Sequence, residues 1–314
     1  MPSQKIAVLF PGQGSQYIGM GQEFAEASDR AAELLTEAEE ISGVPLKKLC
    51  SEGPMEELTL AHNLQPSLTV TSLICWQALQ EAGLRVDYFA GHSLGEYAAL
   101  CAAKVLSFAD TMKLVTVRGR LMGQAGLDNP GGMCAILGLS MEVVQEILRE
   151  VDCPEKISVG NHNSAQQIVL SGDSEVLARA AALAADRGGK AIPLNVSVAN
   201  HSPLMEGVVP EFARTMADIN FQVPQTPIYF NVTGRVEDDP QVIRQVMASQ
   251  IKSMVRWLDI INGLLAQDVR VFIEVGPKNV LTGLMRRILP KKGGHTCLHV
   301  DSPVTLAKCL EVLG

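Results

Sequence analysis

Tyr88-Phe89-Ala90-Gly91-His92-Ser93-Leu94-Gly95-Glu96-Tyr97-Ala98-Ala99-Leu100 is the stretch that decides the fold. Tyr88–Gly91 reads as a brief strand, and Leu94–Ala103 as a helix directly after it. Between them stands Gly91-His92-Ser93-Leu94-Gly95, a GxSxG pentapeptide. That motif needs a tight strand-to-helix turn, which projects its serine. Gly91 and Gly95 let the chain turn sharply and let strand and helix pack closely. Ser93 then lies at a helix N-terminus, where free N–H groups and the helix dipole stabilise an oxyanion. The plain alternative is a glycine-rich turn with an inert serine. The strand–helix junction favours the nucleophile.

Outward from this turn, strands alternate with helices. Ile6–Phe10 is an apolar run stopped by Pro11 and Gly12, as in a buried strand. Asp29–Ser42, Leu64–Ala82 and Ser107–Ala125 read as helices, the last with Ser107 as N-cap. This order predicts a parallel sheet covered on both faces. After the turn-rich Leu127-Asp128-Asn129-Pro130-Gly131-Gly132 the rhythm changes. Met133–Leu139 (strand), Met141–Val151 (helix), Ile157–His162 and Gln167–Ser171 (strands), Ser174–Arg187 (helix) and Ala191–Val196 (strand) follow. That is βαββαβ, the ferredoxin-like order. Helix–strand alternation then returns, with a helix over Pro203–Ile219, a strand over Val269–Val275 and helices over Asn279–Leu289 and Val304–Leu313. The expected organisation is a large α/β domain, residues 1–127 and 198–314, with a small domain inserted at 128–197.

Composition narrows the function. The chain has 314 residues, 47% hydrophobic and 19% charged, enough to bury a core without disulfides or metals. A net charge of −8 argues against nucleic acid as the main partner. The seven cysteines are odd in number and lack CxxC spacing, which fits a reducing compartment. Apolar runs fall short of the ~20 residues of a membrane helix, and the start of the chain is too short for a signal peptide. No His/Cys/Asp cluster has metal-ligand spacing. The expectation is a cytoplasmic enzyme.

A serine nucleophile needs a base. Of six histidines, His201 stands out because it precedes Ser202-Pro203, an N-cap followed by Pro at the first helical position. His92, adjacent to Ser93, reads as pocket wall. Phe10-Pro11-Gly12-Gln13-Gly14-Ser15-Gln16 follows the first strand. It fails GxGxxG, because Tyr17 stands where the third glycine belongs, and it lacks a P-loop lysine. It is either a simple loop or a glycine-flanked backbone N–H donor at Gln13, beside Leu94 as the other oxyanion donor. Arg118, in an apolar-periodic helix, is either solvated at the helix edge, its ordinary place, or directed into a cleft.

FPGQGSQ (10–16), GHSLGEYAAL (91–100), VRGRLM (117–122), NHSPLM (200–205) and IEVGPKNVLTGL (273–284) together resemble one family along nearly the whole chain. The chain is similar to the malonyl-CoA:acyl carrier protein transacylases of type II fatty acid synthesis. The resemblance implies a hydrolase-like α/β domain with a ferredoxin-like insert. It implies Ser93 as acyl acceptor, His201 as base, and Gln250 as the residue whose carbonyl orients the histidine. It implies Gln13 and Leu94 as the oxyanion hole, Arg118 as the grip on the malonyl carboxylate, and Asn163 as a small-domain residue lining the cleft. Asn200 departs from the related polyketide acyltransferases, where Phe or Ser often precedes the histidine and helps set the extender unit. The substrates implied are malonyl-CoA and an acyl carrier protein bearing phosphopantetheine, with no permanently bound cofactor, no nucleic-acid or membrane partner, and a monomeric enzyme. For an acidic carrier, Arg286-Arg287 with Lys291-Lys292, or Arg187 with Lys190, offer basic faces that read equally as solvated charge.

Three rivals share features. An α/β-hydrolase thioesterase would share GxSxG but normally places its histidine near the C-terminus. A non-catalytic scaffold would not need Ser93, His201 and Arg118 together. A discrete polyketide acyltransferase would share the chemistry entirely.

Overall fold

The computed structural model describes residues 4–196 and 198–314. Met1–Ser3, part of the segment weighed above as a leader, and Ser197, the expected end of the small domain, lie outside the described residues.

Nine strands are described: β1 Lys5–Phe10, β2 Tyr88–Gly91, β3 Gly131–Leu137, β4 Ile157–Ser164, β5 Gln167–Asp173, β6 Lys190–Pro193, β7 Ile228–Tyr229, β8 Val269–Val275 and β9 Thr296–Val300. They form two sheets. The larger has the order β7-β2-β1-β8-β9, every pairing parallel. Its central strand is apolar on both faces because helices cover both. Val8 and Phe10 pack with Trp76 and Phe89 on one side, while Ala7 and Leu9 pack with Trp257 and Phe272 on the other. Phe10, Trp76 and Phe89 form a ring cluster, with centroids 5.1 to 6.4 Å apart.

The smaller sheet has the order β4-β5-β3-β6, all antiparallel. Helices Met141–Val151 and Ser174–Asp186 pack on one face through Val144, Ile147 and Ala180 against Ile136, Ile168 and Leu170. This is the ferredoxin-like arrangement read from the sequence. It is tied to the larger layer by Val255 N donating to the Gly160 carbonyl (2.8 Å) and His162 N donating to the Val255 carbonyl (2.9 Å).

Some elements differ from the sequence reading. The expected single helix Pro203–Ile219 is a 3-10 turn, Pro203–Val208, followed by an α-helix, Val209–Ala217. Pro210 opens that α-helix and lacks the N–H that would have continued the earlier turn. The helix from Phe108 runs to Asp128, so Leu127 and Asp128 are helical rather than turn. Strands β7 and β9 escaped the sequence reading. β7 is two residues long, and both strands are sheet edges, where apolar patterning is weakest. Helices Pro240–Ser249 and Trp257–Ala266 escaped it too.

Candidate active site

Ser93 sits at the C-terminal end of β2, where the chain enters helix Gly95–Ala102. Its φ is 51°, in the left-handed region that costs a serine about 1–3 kcal/mol. The turn is close-packed. A Cβ at Gly91 would overlap the Gly95 carbonyl group, and one at Gly95 would overlap the Phe10 carbonyl. Glycine is therefore required on both sides of the serine for backbone approach, while the left-handed turn itself falls on Ser93 and on neither glycine.

His201 reaches Ser93 across 108 residues of sequence. Its Nε2 lies 2.6 Å from Ser93 Oγ. Its Nδ1 lies 3.0 Å from the Gln250 carbonyl and 2.9 Å from the Ser253 carbonyl. Carbonyls only accept, so Nδ1 carries the ring proton and Nε2 is left to accept from the Ser93 hydroxyl. Burial, and then the nearby Arg118 charge, push the imidazole down to about 3. It is therefore neutral at pH 7 and free to act as a base. His201 is itself left-handed (φ 60°), and its N–H donates to the Ile251 carbonyl. Ser202 caps the following turn by accepting from Leu204 N, which holds the histidine rigidly.

Arg118 is 1% exposed, directed inward rather than solvated. Its guanidinium donates to Gln65 Oε1 (2.9 Å), Gln250 Oε1 (3.0 Å) and Ser93 Oγ (3.3 Å), and lies over the Tyr97 ring. Among the described residues no carboxylate pairs with it. A buried cation held only by neutral acceptors is a site for an incoming anion. Glu96 is nearby, but its oxygens accept from Asn231 N and from Gln250 Nε2. Burial pushes this carboxyl up to about 7.

The backbone N–H groups of Gln13 and Leu94 donate to no acceptor among the described residues. Leu94 N opens the helix after Ser93, and Gln13 follows Gly12, whose Cβ would overlap the His92 carbonyl. Leu94 N adjoins Ser93, and the Gly12-Gln13 loop packs against the turn at His92, so two unbonded N–H groups lie on segments that meet at the serine turn. His92 Nε2 is 2.9 Å from Asn163 Oδ1, and its ring packs edge-on against Trp257. It thus reaches across to β4 through Asn163. Asn200 is buried, and its carbonyl accepts from Ser171 Oγ (2.6 Å) on β5. Of the cations weighed for carrier docking, Arg187 pairs with Glu150 and Arg287 donates to Gln167.

A family model described as acyl transferase domain matches residues 8–302. The chain belongs to the acyl transferase family. It is 40% identical over 311 residues to the malonyl CoA-acyl carrier protein transacylase of Bacillus subtilis (strain 168), covering 98% of this chain and 97% of that one. Among solved structures it is similar to an acyl carrier protein S-malonyltransferase from Vibrio cholerae. That match has TM-score 0.92 and 38% identity, over 97% of this chain and 99% of the other. It is also similar to the malonyl-transacylase solved in complex with a type II PKS acyl-carrier protein, at TM-score 0.93 and 35% identity, over 98% and 99%.

The sequence reading had not singled out Ser253, Gln65, Glu96 or Asn231. Glu96 carried a signal, since it is the charged side chain of an otherwise largely apolar helix. Gln65 stands among several other polar residues of its helix and carried none. Ser253 acts through its backbone, and Asn231 lies in an ordinary loop, so neither had one.

Proposed function

We propose that this acyltransferase moves a malonyl group from coenzyme A to the phosphopantetheine thiol of an acyl carrier protein through a malonyl ester on Ser93. The observation that supports it most is the buried, unpaired Arg118 guanidinium 3.3 Å from Ser93 Oγ. A carboxylate one carbon beyond the methylene of a bound acyl group would lie within its reach. The names of the relatives point the same way.

In this reading His201 Nε2 takes the Ser93 proton as Oγ attacks the thioester carbonyl. The oxyanion is received by Leu94 N and Gln13 N. The intermediate collapses, and the CoA sulfur leaves with the proton from His201. The carrier thiol then gives its proton to His201 and attacks the ester, and Ser93 recovers its hydrogen. Pairing of Arg118 with the malonyl carboxylate also removes a positive charge that opposes protonation of His201, so the right substrate strengthens the base. A cavity of about 510 Å3, whose wall includes Gln13, His62, Leu64 and Arg120 but none of Ser93, His201 and Arg118, has room for an extended thioester arm approaching the serine from the Gln13 side. The enzyme works in the cytoplasm on this reading; no described helix is long and apolar enough to cross a membrane.

The test is intact mass after brief mixing with malonyl-, acetyl- or methylmalonyl-CoA, without carrier. A single malonyl adduct, lost in Ser93→Ala, is expected. Steady CoA release without an adduct would identify a hydrolase and overturn the reading, as would the absence of both adduct and release. A methylmalonyl adduct of similar yield would favour the polyketide role.

A further inference from the structure

Ser93 needs something outside its own turn to hold it. A serine at φ 51° is strained, and glycine, which would relax the strain, carries no nucleophile. Both backbone groups of Ser93 are gripped by side chains from distant segments. Asn231 Oδ1 accepts from Ser93 N at 2.7 Å, and Gln250 Nε2 donates to the Ser93 carbonyl at 2.7 Å. The other end of the Asn231 amide, Nδ2, donates to the Gly91 carbonyl at 2.6 Å. With a donor on one side and an acceptor on the other, only one orientation of the amide satisfies both.

The pattern has a clear origin in the sheet. In a parallel ladder, one residue's backbone accepts from the N–H of residue i+1 and donates to the carbonyl of residue i−1. Strand β7 pairs Ile228 with Phe89 and Tyr229 with Ala90, then stops. Two residues on, the Asn231 side chain accepts from residue 93 and donates to residue 91, centred on His92. A side-chain amide thus continues the ladder past the end of β7, into a turn that no backbone strand could follow. The Asn231 backbone is fixed in turn. Its N–H donates to Glu96 Oε1 (2.6 Å), and its carbonyl accepts from Arg256 N (3.0 Å). Glu96 Oε2 accepts from Gln250 Nε2 (2.8 Å), which closes the ring back to Ser93. Both partners of Glu96 are donors, so they favour its carboxylate form against the burial that pushes the group up to about 7.

We propose that Asn231, held by Glu96, is a positioning residue that fixes the Ser93 backbone so that Oγ points at His201 and Leu94 N stays free for the oxyanion. Asn231 does not touch the substrate; it acts through Ser93. The proposal rests on Ser93 being the acyl acceptor.

The test is single-turnover acylation by malonyl-CoA, following both the rate constant and the fraction of chains acylated, for wild type, Asn231→Ala and Glu96→Gln. A small shift of the serine is expected to lower the acylation rate constant about 10²-fold in Asn231→Ala, with every folded chain still acylated. The half-saturating malonyl-CoA concentration should change by less than about twofold, because no binding group is lost. Glu96→Gln, which turns an amide against one of two donors, should fall in the same direction, and its rate decides the matter if Asn231→Ala does not fold. A wild-type rate constant with fewer chains acylated, or with only a lowered melting temperature, would reduce Asn231 to a structural part and overturn the proposal. Absence of an adduct in the wild-type control would instead overturn the assignment of Ser93.

Discussion

Arg118 and His201 influence each other through charge, and this can be measured. The guanidinium is the second cause, after burial, that holds His201 down to about 3. Removing it in Arg118→Ala should raise the imidazole toward its ordinary value. The limb that His201 contributes to Ser93 acylation by a neutral acyl-CoA, read apart from the limb of Glu96 near pH 7, should then move to higher pH, whereas in the wild type it lies below about pH 5. An unchanged limb would show that the two groups are not coupled. The same variant should lose malonyl transfer about ten- to a hundred-fold more than acetyl transfer, matching the ~1.5–3 kcal/mol of a charge-assisted hydrogen bond. Equal losses would sink the carboxylate role. Gln250→Glu offers a finer test, because the backbone carbonyl that orients His201 is kept. The new carboxylate would sit against Arg118 and supply internally the anion meant to come from substrate. It would also lose the Nε2 donor to the Ser93 carbonyl and Glu96, so acetyl loading should fall too and malonyl loading should fall further. Malonyl loading should fall toward the acetyl rate in competition experiments.

At the scale of elements, the strand–turn–helix unit around Ser93 is fixed by backbone approach. Gly95 packs against the Phe10 carbonyl of β1, so Gly95→Ala must push β1 and the helix apart. Overpacking of this kind costs about 1–3 kcal/mol, read as a fall in melting temperature with a parallel loss of acylation. Gly123, whose Cβ would meet only the Ala61 side chain at 3.8 Å, lies in the helix Phe108–Asp128. Gly123→Ala should hold or raise stability by up to about 1 kcal/mol. The unit around Ser93 was legible because the motif combines a strand, two glycines and a helix within thirteen residues. β7 was not, since two residues carry no periodicity, yet it sets the position of Asn231.

The molecule as a whole brings the two sheets together over the site. His92 beside Ser93 meets Asn163 of β4, and Ser171 of β5 holds the backbone of Asn200 next to His201. Burying His201 as a neutral group has a global consequence for stability. Its folded value lies below the unfolded one, so below about pH 6.5 the unfolded chain binds a proton that the folded chain refuses. Its contribution is present above pH 6.5 and is lost as pH falls toward 3. The melting temperature of the wild type should therefore drop relative to His201→Gln as pH is lowered through that window. Parallel curves would mean that His201 is protonated in the folded enzyme.

The sequence by itself determined the elements and their chemistry. Local patterning set the βαββαβ insert, the apolar central strands, the strained serine turn and the residue types of nucleophile and base, because these depend on neighbours a few positions apart. Only the tertiary structure decided whether Arg118 was solvated or buried, that Gln250 serves His201 through its backbone and Arg118 through its side chain, and that Asn231 finishes a ladder its own strand abandons. Each of these depends on contacts between residues from 25 to 140 positions apart, and hydrogen bonds across such distances leave no trace in periodicity or composition.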